Sequence, residues 1–228
     1  MTDTTTRSAP TAIPISLFAF SVFYGGMICI AGVLANKQAQ LFELPGVGML
    51  AVESGIFPFL LLVITASAVT ELFGQKTAQR LVLFGFVPLI MASLLTLLVL
   101  QIPPAEEMDP ERLSAFELLL ASTPRIWLAG IAAYGISTLL NVWIFEKMKK
   151  PGGRLLWLRS AVAGVLSQTI DSLIFITIAF YGVFPIVELL IGQMLAKAVL
   201  SAVLIPPAVQ LMVSLGRKLD APKAQQAA

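Results

Sequence analysis

The sequence has no histidine and a single cysteine, Cys29. The commonest proton shuttle and the commonest transition-metal ligand are therefore missing. One cysteine allows no intramolecular disulfide and no thiolate cluster around a metal. Charge is scarce too. Only 12% of the 228 residues are Asp, Glu, Lys or Arg, against about 25% in a soluble domain. The net charge of +2 offers nucleic acid no basic surface. No GxSxG, HExxH, Walker A or EF-hand pattern occurs, and GVG at residues 46–48 is too short for a dinucleotide site. These absences read as a protein that is not an enzyme and that takes no metal and no cofactor.

Apolar residues are what the chain has in excess: 57% of the sequence, with a mean hydropathy of +0.89. That composition is a polytopic membrane protein. Six apolar runs are long enough to span a bilayer: residues 13–35, 47–73, 81–102, 125–145, 157–182 and 186–215. The first exceeds the roughly 7–15 residues of a signal-peptide core and is preceded by Arg7 alone, so it reads as a spanning helix. The expected fold is all-α, a six-transmembrane-helix bundle over residues 13–215. Residues 1–12 and 216–228 read as flexible tails, and residues 36–45 as a short loop. A short interfacial helix is expected at 114–120, inside an acidic connection at 103–124, and Pro206-Pro207 is expected to kink the sixth run. The third run is nearly free of polar residues and reads as a lipid-facing wall.

Six spans put both termini on one side. The tails and the loops after spans two and four hold ten basic residues; on the opposite side stand Lys37, Arg112 and Arg125. The positive-inside rule then gives an N-in/C-in topology. Trp127, Trp143 and Trp157 stand near span ends, where interfacial anchors belong.

The polar residues inside the runs follow one spacing. Ser67 and Glu71, Ser137 and Asn141, and Ser167 and Asp171 are each four apart, hence on one helix face. Gln168 widens the Asp171 face, and Gln193, Lys197 and Ser201 repeat the spacing on the sixth run. Asp171 lies twelve residues past Arg159, or about 18 Å along a helix, and Lys197 lies twelve past Pro185 in the opposite direction. Both fall near the midplane, where an Asp171–Lys197 ion pair is expected. A carboxylate there costs about 2.5–3.5 kcal/mol on insertion scales. The fifth run is therefore expected to organise the bundle, and its buried charge to serve function. Glu71 and Asn141 sit nearer the ends of their spans. Gly130, Ala133, Gly164 and Gly192 suit close helix packing.

Three segments carry a resemblance to a known family: TELFGQKTAQRLVLFG, TPRIWLAGIAAYGISTLLNVWIFEKMK and WLRSAVAGVLSQTIDSLIFITIAFYG, the last with an arginine, SQxIDS and IAFxG. Over about residues 36–206 the chain resembles the queuosine precursor transporter family, also called the VUT or vitamin uptake family. The resemblance implies a multi-pass importer in the bacterial inner membrane, working without an ATP-hydrolysing partner. Its cargo would be a 7-deazaguanine such as 7-cyano- or 7-aminomethyl-7-deazaguanine. Members of the family carry aspartates where Ser67 and Asn141 stand here, and a tyrosine where Phe73 stands.

On that resemblance the expected substrate-binding residues are Asp171, Glu71, Gln168, Asn141, Lys197, Phe175 and Arg159. Asp171 or Glu71 would accept from the N1–H and amine of the ligand. Gln168 or Asn141 would satisfy its carbonyl, Phe175 would stack on its ring, and Arg159 would gate the cytoplasmic exit. The implied partners are a small heterocycle and the lipid bilayer, not nucleic acid; a homo-oligomer is left open. Two other readings stand beside this one: the substrate-binding subunit of an energy-coupling-factor vitamin transporter, and a structural or assembly protein of the membrane.

Overall fold

A computed structural model describes residues 13–35, 37–44, 48–120, 124–149, 155–182 and 187–221. Among them are seven helices: α1 (Ile15–Leu34), α2 (Ile56–Phe73), α3 (Gln75–Gln101), α4 (Pro110–Leu120), α5 (Pro124–Lys147), α6 (Leu156–Phe180) and α7 (Val187–Asp220). All but α4 are long and apolar enough to cross a membrane. The six expected spans are therefore present. Ser16 donates from its backbone N–H and its hydroxyl to the two carboxylate oxygens of Asp220, at 2.9 and 2.6 Å. The start of α1 and the end of α7 thus lie side by side at one end of the bundle, called below the terminal end.

The boundaries differ from the hydropathy reading in instructive ways. Residues 38–44 and 48–53 are neither loop nor helix, while residues 36 and 45–47 lie outside the described residues. The two segments form an antiparallel hairpin, β1 (Gln38–Leu44) with β2 (Gly48–Glu53), pairing Gln38 with Glu53 and Leu44 with Gly48. An irregularity between Gln40 and Phe42 interrupts the ladder, and the Ser54 N–H to Lys37 carbonyl bond, 2.7 Å, closes its base. Span two therefore starts at Ile56 rather than Val47. Only Glu53, Ser54 and Gly55 separate the apolar residues of the strand from the apolar helix, and a short apolar run does not reveal its own period. The next span starts earlier than expected, at Gln75, because Gly74 alone makes the turn. Its φ of 83° is a backbone conformation that glycine adopts without strain. The interfacial helix begins at Pro110, four residues before the expected start. Helix α7 is continuous through Pro206 and Pro207 and runs on to Asp220, into what reads as a tail. These prolines lack the N–H groups that would bond the carbonyls of Ala202 and Val203.

Burial corrects the expectation that α6 is the central helix. The best window of α2 is 67% buried, that of α6 39% and that of α3 11%. Helix α2 packs against α1, α3, α5 and α7, and its two faces feed two apolar clusters. On one side, Leu60, Ile64 and Ala68 meet Phe145, Ile205 and Val209 of α5 and α7. On the other, Leu62, Ala66 and Val69 meet Tyr24, Val82 and Tyr134 of α1, α3 and α5. Helix α3 is the lipid wall that its composition suggests. Only Ala78, Leu81, Val82 and Gly85 are buried, while Phe84, Met91 and Leu95 are exposed. Exposed apolar area on this scale needs lipid, not water, around it.

Candidate functional site

With α2 as the axis, the remaining polar side chains stack in three layers along the inside of the bundle. The four-residue spacing sets the two inner layers, Ser137 and Asn141 on α5 and Asp171 and Ser167 on α6, while Arg159 lies two turns beyond Ser167.

The deepest layer contains the expected ion pair. Lys197 Nζ on α7 stands 3.0 Å from Asp171 Oδ2 on α6. The other carboxylate oxygen, Oδ1, accepts from the Ser137 hydroxyl of α5 at 3.1 Å. Asp171 is 7% exposed and Lys197 8%. Neither faces lipid. One turn toward the terminal end lies a neutral layer. Ser67 of α2 donates to Asn141 Oδ1 at 3.0 Å, and Asn141 Nδ2 donates to Ser167 Oγ at 3.4 Å. Asn141 thus spends both ends of its amide on neighbouring helices. The third layer closes the stack. Arg159 Nη1 of α6 meets Glu71 Oε2 of α2 at 2.8 Å, Nε donates to the Phe145 carbonyl at 3.0 Å, and the guanidinium lies 4.1 Å from the Phe145 ring centre. A charge stripped of water is held by partners on several sides at once, as the absence of solvent requires.

Not every polar atom is satisfied. Gln168 Oε1, Ser201 Oγ, Arg159 Nη2 and Glu146 Oε2 are buried without a hydrogen-bond partner. An orphaned buried polar group costs about 1–3 kcal/mol. Two of the four share one level. A Cβ on Gly164 of α6 would stand 2.6 Å from Ile205 of α7, and Asp171 of α6 bonds Lys197 of α7. Between these two fixed points, antiparallel helices set Gln168 level with Ser201. An amide oxygen and a hydroxyl without partners therefore border the ion pair on its terminal side.

The structure thus brings Asp171, Lys197 and Gln168 to one place and puts half-buried Phe175 one turn beyond Asp171 on α6. Glu71 and Arg159 are engaged with each other at the far end of the stack, and Asn141 bridges the layers between. Their pairing was missed from the sequence, although both lie near the same ends of their spans with opposite charge. Also missed was the close hydroxyl contact between Tyr24 of α1 and Tyr134 of α5. Phe59 and Phe86 pack on the Tyr134 ring, at 5.9 and 5.3 Å between centroids. Two single tyrosines on distant spans carry no spacing signal. No group of three or more metal-ligating side chains occurs among the described residues. A groove of about 780 Å³ opens elsewhere, between the start of α6 and the last turns of α7.

Among characterised proteins, the chain is 28% identical over 190 residues to one named "Probable queuosine precursor transporter" from Bacillus subtilis (strain 168). The match covers 81% of this chain and 80% of that one. No solved structure matches the chain. The family described as "Putative vitamin uptake transporter" matches residues 53–211, a span that holds every residue of the three polar layers, and the chain belongs to that family.

Proposed function

We propose that this protein carries a flat, guanine-like heterocycle, of the 7-cyano- or 7-aminomethyl-7-deazaguanine kind, across the bacterial inner membrane. Both termini would face the cytoplasm. The observation that carries the reading is the enclosed Asp171–Lys197 pair with Gln168 and Ser201 unpartnered beside it. The resemblance to a relative named for queuosine precursor transport supports the cargo class.

The chemistry follows from the ligand edge. A deazaguanine presents a carbonyl oxygen, an N1–H and an exocyclic amine in a row. A carboxylate accepts the two donors together, and an ammonium beside it donates to the carbonyl. Asp171 and Lys197 offer that pattern on facing helices. In the empty protein each charge is satisfied by the other. Cargo would place one donor on each oxygen of Asp171 and turn Lys197 toward its own carbonyl, so neither charge is ever left bare. Gln168 and Ser201 gain the partners they lack, and Phe175 is placed to cover one face of the ring. The Glu71–Arg159 pair then acts as the cytoplasmic gate, since it ties α2 to α6 across the exit. A closed pair at each level describes an occluded state.

The test is uptake of 7-cyano-7-deazaguanine into proteoliposomes containing only this chain. Time-dependent, saturable accumulation is expected, with unlabelled cargo competing. No uptake until an ATPase module is supplied would assign the chain to the energy-coupling-factor class instead.

A further inference from the structure

We propose that the groove between α6 and α7 at the terminal end is a binding site for one anionic phospholipid, with its phosphate on Arg217 and Lys218. The groove of about 780 Å³ is lined by Leu156 of α6 and by Gln210, Val213, Ser214, Arg217, Lys218 and Ala221 of α7. The α7 residues fall at intervals of three and four, so they form one stripe down a single helix face.

The order along that stripe matches a phospholipid. Arg217 and Lys218 stand at the last turn of the span, where a headgroup phosphate lies. Arg217 makes no ion pair among the described residues. Asp220, the nearest acid on the helix, is occupied by Ser16. Ser214 lies three residues deeper and Gln210 seven, about 5 and 10 Å down the axis. Both are exposed, inside a segment apolar enough to span. A hydroxyl and an amide facing hydrocarbon need a partner, and the ester carbonyls below a phosphate supply one at that depth. Beside them Leu211, 72% exposed, and Leu215, 48% exposed, present plain apolar surface to acyl chains. Trp157, on the first turn of α6, is 53% exposed at the same level, as an interfacial anchor. The groove itself is held open by the opposite face of α7. Gly216 packs so closely on α2 and α1 that a Cβ there would meet Leu72 at 2.6 Å and Phe20 at 3.1 Å, which turns the Arg217 face outward. This site shares no residue with the ion pair and does not depend on what the protein carries.

The experiment is lipid titration of the purified full-length protein in neutral detergent, read by native mass spectrometry and by thermal melting. Phosphatidylglycerol, phosphatidylcholine and inorganic phosphate are the three probes. One retained phosphatidylglycerol and a raised melting temperature are expected, with no effect of the other two. In the double variant Arg217→Gln/Lys218→Gln, retention should weaken roughly tenfold or more, in line with the loss of two juxtamembrane cations. Both side chains are exposed, so the variant folds, and its unliganded melting temperature checks that it does. Equal retention of phosphatidylcholine, a shift with phosphate alone, or undiminished phosphatidylglycerol binding by the variant would each overturn the proposal.

Discussion

Asp171 and Lys197 each have a reason to exist only while the other is present. Replacing Lys197 by Met leaves a carboxylate in a site with one serine hydroxyl for company. Such a loss typically costs about 3–5 kcal/mol. The double variant Asp171→Leu/Lys197→Met should regain most of that stability in a denaturation measurement and still fail to bind cargo. Additive losses in the double variant would mean the two groups do not act as a pair. Ser137→Ala removes one hydrogen bond to a charged oxygen and should cost about 1.5–3 kcal/mol by the same measurement, without abolishing folding. The same logic applies to the Glu71–Arg159 pair. Arg159→Met should destabilise the protein strongly, because Glu71 and the Phe145 carbonyl both lose their donor. Much of this was legible in advance. Spacings of four on amphipathic faces, together with depth counted from span ends, identified the midplane pair. The Glu71–Arg159 pair, 88 residues apart in sequence, was not, because facing helices have no signature in a single chain.

Helices settle where their smallest residues let them. Gly85 of α3 sits against the Tyr24 ring, where a Cβ would meet Cε1 at 2.7 Å and the Tyr134 hydroxyl at 3.4 Å. Gly85→Ala should therefore part α1 and α3 and lose about 1–3 kcal/mol, as overpacked cores do. Gly26→Ala on α1 is the control. Nothing stands within 4 Å of its would-be Cβ, so the alanine should stabilise the helix by about 0.5–1 kcal/mol. Melting temperatures that move together in the two variants would contradict the packing described for α3. At this scale hydropathy located six helices correctly and misplaced their ends. The hairpin was hidden because the apolar residues of its second strand are separated from those of α2 by Glu53, Ser54 and Gly55 alone. The run through Pro206 and Pro207 was legible; what was missed is that α7 continues past residue 215 to Asp220, because its last turn is polar and basic. The central position of α2 was hidden for a different reason. It has no charged residue before Glu71, so no charge within the span marks it as the axis.

Across the whole molecule, the stack of three layers makes one polar line through an apolar body, and the start of α1 and the end of α7 meet at its Glu71–Arg159 end. The proposed orientation in the membrane rests on charge alone and is testable directly. In a Cys29→Ser background, Met108→Cys, in the acidic connection between α3 and α4, should react with an impermeant maleimide applied outside intact cells. Lys149→Cys, beyond α5, should react only after the membrane is opened. The reverse pattern would invert the topology and make Glu71–Arg159 the outer gate. The shape of the proposed site, unlike the topology, belongs to no stretch of sequence. It arises where α5, α6 and α7 converge around the Asp171–Lys197 pair, with Gln168 Oε1 and Ser201 Oγ unpartnered beside it.

The central claim is that the midplane charge pair recognises the cargo. Its most direct test is equilibrium binding of 7-cyano-7-deazaguanine to the purified protein and to Asp171→Asn, which keeps the size of the side chain and removes its charge. Saturable one-site binding by the native protein, weakened at least roughly a hundredfold in the variant, is the predicted result, since a bidentate charge-assisted contact is lost. Equal affinity in the two proteins, with the variant folded, would contradict the account.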